Sequence, residues 1–151
     1  MSRGAPGTAP NGARSAGFTL VELLIVMIIV SVLVGIAIPV FLNQRGKAVD
    51  SDMKSDVRHV AAALENHYAG TQQYVAASQA GRTVTVGAED VTVSANTTVT
   101  VTALADATTA TATWGSAAGF CVTATNPRGK AAGGMRFNSL AGGLTTVACP
   151  S

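Results

Sequence analysis

FTLVELLIVMIIVSVLVGIAIPVFL, residues Phe18 to Leu42, is a run of 25 residues whose only ionisable side chain is Glu22. As a helix it would be roughly 37 Å long, enough to cross a hydrocarbon layer of about 30 Å. A secretory signal has an apolar core of only about 7 to 15 residues followed by a small-residue cleavage step. No such step closely follows this run, so the helix is expected to be retained. Basic residues do not fix its orientation: Arg3 and Arg14 precede it, while Arg45, Lys47 and Lys54 follow it.

The rest of the chain is consistent with one modest domain behind that anchor. The sequence has 151 residues, 48% of them hydrophobic, a mean hydropathy of +0.35 and a formal net charge of +2. With 10 Lys+Arg against 8 Asp+Glu, it lacks the basic excess of a protein that binds by neutralising phosphates. Residues 1–17 carry Arg3, Arg14, two prolines and four glycines but no acid, a composition that builds no structure of its own.

Beyond Leu42 the apolar pattern becomes one-sided. Val49, Met53, Val57, Val60 and Leu64 recur at steps of four, four, three and four, which predicts an amphipathic helix over residues 43–70. Asp50 and Lys54 are expected to pair on another face. One helix is therefore expected from about Phe18 to Ala69, stopped by Gly70 and weakened near Gly35 and Pro39.

After Gly70 the chain turns to threonine, alanine, valine and glycine. The alternating runs at 82–86, 91–93, 97–103 and 108–114 predict antiparallel strands with one buried face. Residues 119–125 and 134–138 predict two more, joined by a turn around Asn126 to Lys130. The fold class is α+β: a long N-terminal helix packed on a small C-terminal antiparallel sheet domain, residues 71–151. Its large apolar residues are few: Tyr74, Leu104, Trp114, Phe120, Met135, Phe137, Leu140 and Leu144. Such a core needs the helix stripe as one wall. Cys121 and Cys149 can add a staple worth on the order of 3 to 4 kcal/mol if this half is exported to an oxidising compartment. The alternative is two buried thiols.

Glu22 needs a physical account, because a carboxylate in an apolar helix costs a few kcal/mol near a bilayer centre and less near its surface. One account is interfacial: in the first turns of the helix, the macrodipole favours an anion. The other supplies a cation. A cut between Gly17 and Phe18 would create an α-amine four residues before Glu22, able to pair within the helix or with a neighbouring subunit, thereby fixing assembly register.

The run from Gly17 to Phe41, behind a short basic leader, resembles the N-terminal signature of type IV pilins and pseudopilins. The resemblance implies a leader, residues 1–17, removed by a prepilin peptidase between Gly17 and Phe18, with methylation of Phe18. It places the family's glutamate on Glu22 and its helix-weakening proline on Pro39. It further implies residues 18–42 as the transmembrane and filament-core helix, the leader inside, and the C-terminal half outside. The implied partners are the peptidase, a pilus or secretion assembly machinery, the membrane, and other copies of the chain. Location is then the cytoplasmic membrane before assembly and a surface filament after it.

No enzymatic chemistry is expected, nor any cofactor or metal. His59 and His67 are eight residues apart, about 12 Å along a helix and too far to share a metal ion; no HExxH, P-loop or nucleophile elbow occurs. Gly133-Gly134 and Gly142-Gly143 read as turns, Glu89-Asp90 as a solvated loop, and Asn96-Thr97-Thr98 as a chance sequon. Three readings follow: a structural pilus subunit, a pseudopilin of a secretion or DNA-uptake apparatus, or a minor subunit gripping a surface ligand or DNA. For the last, Arg128, Lys130 and Arg136 are the candidate contacts, against the plainer reading of a solvated turn.

Overall fold

The computed structural model describes residues 17–111 and 113–150. All of the expected leader, residues 1–17, except Gly17, and Ala112 within the expected strand 108–114 lie outside the described residues. The chain divides into two compact units, one ending at Pro39 and the other starting at Val40.

In the first unit the described chain enters a single helix, α1 (Leu20–Thr71). Thr19 caps it: its Oγ1 accepts the Glu22 backbone N–H at 3.2 Å, and its carbonyl accepts the Leu23 N–H at 3.2 Å. Every described residue up to Pro39 is exposed, the large apolar ones included. Ser31, the lone hydroxyl in the middle of this stretch, donates to the Met27 carbonyl at 2.7 Å, so the helix satisfies its own polar group. Gly35 and Pro39, the expected weak points, both lie inside α1.

The second unit combines the remainder of α1 with two antiparallel sheets. The first sheet is the meander β1 (Ala77–Ala80), β2 (Thr83–Val86), β3 (Glu89–Thr92). The second contains β4 (Thr98–Asp106), β5 (Thr109–Ala110), β6 (Gly119–Thr125), β7 (Met135–Asn138) and β8 (Gly143–Thr145), in the order β5-β4-β6-β7-β8. Met53, Val57, Val60 and Leu64 of α1 are fully buried and share one core with Val84, Val86, Val91, Val93, Val99, Phe120 and Val122. The predicted stripe is thus the wall of the core, with Val49 half-buried at its edge.

Several expectations need correction. The helix does not stop at Gly70: it continues to Thr71, and Gln72 takes the left-handed conformation (φ 57°) that closes it, donating its N–H to the Tyr68 carbonyl at 2.7 Å. Asp50, expected to pair with Lys54, directs Oδ1 to the backbone N–H groups of Lys130 (2.8 Å) and Ala131 (3.1 Å). The run 108–114 yields only the short β5, and Trp114 opens a 3-10 turn, Trp114–Ser116. Leu140 and Leu144, expected in the core, are exposed, and valines of β2, β3, β4 and β6 fill the space. Strands β1 and β8 were not expected: ASQA has no β-branched residue, and GLT is too short to show an alternation.

Polar side chains join the layers. The buried Asp56 carboxylate accepts the Ser94 backbone N–H (3.2 and 3.1 Å) and the Ser94 hydroxyl (3.1 Å), fixing the link that leaves β3 against the helix. Gln79 bridges the sheets: Nε2 donates to the Thr97 carbonyl at 2.8 Å and Oε1 accepts the Val99 N–H at 2.7 Å. Buried Asn138 donates to the Ala107 carbonyl and accepts from the amides of Leu140 and Ala141. Each replaces a backbone partner that a strand end lacks.

The cysteines form a disulfide, Cys121–Cys149. Cys121 is fully buried on β6, so the bond ties the tail that follows β8 back to the middle strand of the five-stranded sheet. Reduction, or Cys121→Ala/Cys149→Ala, should lower stability by about 3 kcal/mol, read as a lower urea midpoint for the intact chain in detergent. An unchanged midpoint would mean that the β7–β8 pairing alone holds the tail.

Tyr74 sits at the helix–sheet junction, stacked on Tyr68 (centroids 4.5 Å) and edge-on to Phe120 (5.3 Å), with its hydroxyl donating to Glu65 Oε1 at 3.3 Å. Burial, then the charge of Glu65, pushes the Tyr74 phenol from 10.0 up to about 12. A folded-state value above the unfolded one means stability that is complete below pH 10 and lost as pH rises through about 12. In a Tyr68→Phe variant the remaining phenol, followed by its absorbance near 295 nm, should ionise near pH 12 together with a loss of stability. Titration near pH 10 in the folded chain would contradict the buried placement.

Candidate functional site

The N-terminal approach to α1 holds the residues around which a function can be built. Gly17, Phe18 and Thr19 precede the helix, and Phe18 is 81% exposed. Glu22 turns back on this segment: Oε2 accepts the Thr19 backbone N–H at 2.9 Å and the Thr19 hydroxyl at 2.7 Å. With the Glu22 N–H donating to Thr19 Oγ1, the pair is a reciprocal capping box. The signal was present in the sequence as Thr19-Leu20-Val21-Glu22, a Ser/Thr-x-x-Glu spacing before an apolar run, and it was missed. It gives Glu22 a local partner in addition to the interfacial and amine-pairing accounts. Gly17, Phe18 and Glu22 thus lie within six consecutive residues at the start of α1, while Gly35 and Pro39 lie farther along the helix.

The predicted basic contacts do not form one surface. Arg128 and Lys130 line a cleft with Arg45, Gly46, Val49 and Leu42, whereas Arg136 lines another with Lys54, Met135 and Leu144. Arg136 also donates to the Thr146 carbonyl at 3.4 Å. Arg45 was not among the expected contacts; its signal was its position as the first cation after the apolar run.

The loop carrying Arg128 and Lys130 is tightly seated. Its turn is the one expected from sequence: Arg128 N–H donates to Asn126 Oδ1 at 3.0 Å, and Gly129 N–H to the Asn126 carbonyl at 3.1 Å. A Cβ at Gly129 would lie 2.7 Å from both Asp50 Oδ1 and Met53 Cε, so any larger residue there must displace one of these side-chain ends. Gly134 (φ 81°) is similarly constrained, since a Cβ there would lie 2.2 Å from the Ala124 carbonyl oxygen.

The remaining candidates have structural surroundings. His67 packs against Gly87 in the β2–β3 turn, and His59 is exposed on the helix. Glu89 and Asp90, expected in a solvated loop, instead open strand β3 with both side chains exposed, and Asp90 accepts the Thr85 hydroxyl at 2.7 Å across the β2–β3 pair. Asn96 occupies a left-handed turn (φ 62°), beside a buried Thr97 that accepts from Asn126 Nδ2. Among the described residues, no cluster of three or more His, Cys, Asp or Glu is arranged to hold a metal ion.

Comparison with known proteins bears on the N-terminal segment. A family model described as the prokaryotic N-terminal methylation motif matches residues 12–38. The type IV major pilin protein PilA of Myxococcus xanthus (strain DK1622) is 33% identical over 61 residues, which covers 40% of this chain and 28% of that protein. No solved structure matches. The methylation motif and the pilin relative make the N-terminal segment similar to that of type IV pilins, and the long N-terminal helix with its antiparallel sheets gives the chain a pilin-like layout.

Proposed function

We propose that this chain is a structural subunit of a type IV pilus-like filament, held in the membrane before assembly and polymerised through its N-terminal helix. The observation that carries this reading is the apolar stretch of α1 from Leu20 to Pro39, exposed throughout and almost wholly within the methylation motif. Such a surface is unstable in water and requires either lipid or the apolar helices of other subunits. The similarity to a major pilin favours a pilus; a pseudopilus would use the same chemistry.

In this reading, residues 1–17 are a cytoplasmic leader that a prepilin peptidase removes, leaving a methylated Phe18. Residues 18–42 anchor the subunit, residues 43–70 continue the helix, and residues 71–151 form the external head, where the disulfide is oxidised. Moving the helix from lipid into a filament exchanges one apolar environment for another, so the hydrophobic contribution nearly cancels. Polar pairing then decides docking. The capping box lets Glu22 wait with its carboxylate hydrogen-bonded to Thr19. The Phe18 amine of an adjoining subunit converts that waiting state into an ion pair in a nonpolar layer, where mispaired charges cost most. Gly35 to Pro39 is the segment that unwinds as helices pack, because Pro39 has no N–H to give to the helix.

The decisive measurement is tandem mass spectrometry of the N-terminal peptide from membranes and from material sheared off the cell surface. The expected terminus in both is Phe18 carrying one extra methyl; an uncut chain confined to membranes would overturn the proposal. Glu22→Ala should reduce surface filaments by at least about tenfold while membrane-held subunits remain, since loss of one buried charge partner costs about 3 kcal/mol or more. Glu22→Gln separates the two duties of this side chain. It keeps a capping acceptor but no charge, so undiminished filaments in that variant would assign Glu22 to helix capping alone.

A further inference from the structure

The cleft lined by Leu42, Arg45, Gly46, Val49, Arg128 and Lys130 has a volume of about 480 Å³ and collects three cations. Its walls are set before any ligand arrives. Asp50 Oδ1 holds the backbone N–H groups of Lys130 and Ala131, which fixes the loop against α1. Gly46 is buried beneath the Lys130 stem, where a Cβ would meet Lys130 Cγ at 2.7 Å. Lys130 Nζ donates to Asn43 Oδ1. The Arg45 guanidinium lies 5.9 Å from the Phe41 ring centroid, and the Arg45 and Arg128 side chains are exposed. The Asp50 carboxylate that holds this loop brings one negative charge against the three cations, so the cleft keeps a positive excess.

We propose that this cleft binds the phosphate of an anionic phospholipid headgroup, such as phosphatidylglycerol, while the subunit is held in the membrane. The inference rests on the membrane-held reading given above. Leu42 is both the last residue of the apolar run and part of the cleft wall, so in an embedded subunit the cations stand at headgroup depth. Guanidinium groups match the oxygens of a phosphate diester in pairs, and the Leu42 wall accepts the start of an acyl chain. The arrangement also accounts for a charge pattern opposite to the usual one. Arg45 and Lys47 closely follow the span on the side proposed to be exported, where cations are normally sparse. An anionic headgroup supplies the counter-charge of Arg45, the one of these two that lines the cleft.

The test uses the full chain reconstituted in vesicles of phosphatidylcholine containing a minor fraction of phosphatidylglycerol. Spin-labelled lipids report which headgroup is immobilised by the protein. Phosphatidylglycerol should be preferred, by about fivefold for each engaged cation. The preference should weaken in Arg128→Gln and disappear in Arg45→Gln/Arg128→Gln. Lys47→Gln/Lys54→Gln removes the same charge outside the cleft and should preserve it. Equal immobilisation of both lipids by the unmodified chain, or equal loss in both double variants, would overturn the headgroup site. So would loss of the preference in inorganic phosphate but not in chloride of the same ionic strength, which would assign the cleft to free phosphate. Flotation with pure phosphatidylcholine vesicles separates this from the underlying reading. A chain that floats without a headgroup preference sinks the cleft proposal alone, and a chain that does not float sinks both.

Discussion

The buried stripe of Met53, Val57, Val60 and Leu64 is the surface on which both sheets depend. A three-stranded meander and a five-stranded sheet rich in threonine and alanine bury too little apolar volume to hold one another. A helical wall presenting a large side chain at every turn supplies what they lack, and the valines at alternate positions of β2 are buried in the same core. The largest side chain completely enclosed is Phe120. Its ring stands between Tyr74 and Phe137, extending the row begun by Tyr68.

A helix that serves as the wall of a core in one unit and exposes an unbroken apolar surface in the other has two solvents to satisfy. The polar groups follow that division. Up to Pro39, the two described side-chain hydrogen-bonding systems are local: Thr19 with Glu22, and Ser31 with its own preceding turn. This is how a helix reaches an apolar medium without orphaned donors. From Val40 onward the helix uses its carboxylates over long sequence distances, Asp56 for Ser94 and Asp50 for Lys130 and Ala131. These contacts anchor the β3–β4 link and the β6–β7 loop, places where the chain leaves one strand for another.

The capping box bears on the assembly role proposed for Glu22. A carboxylate entirely without partners in the apolar layer would resist insertion. One fully neutralised within its own subunit would have nothing left to offer a neighbour. Glu22 accepting hydrogen bonds from Thr19 lies between these extremes: it is solvated by its own helix end yet keeps its charge available for an amine. That balance follows from the three-residue spacing between Thr19 and Glu22.

The sequence by itself determined the elements whose signals are local. The apolar run, the stripe at steps of three and four, strand β6 with its ends, and the turn at Asn126 all follow from periodicity or turn chemistry within a few residues. The capping box belonged to this class, although it was overlooked. Tertiary structure decided what depends on partners distant in the chain. Strand β1 exists because β2 offers it a ladder and Gln79 a second sheet, and its composition carries no trace of either. Leu140 and Leu144 remain outside because the valines already fill the core, and Arg136 is separated from Arg128 because β7 and the preceding loop present different faces. Arg45 joins the cleft only because Asp50 draws a loop 80 residues away onto the helix, a contact that no spacing along the chain can reveal.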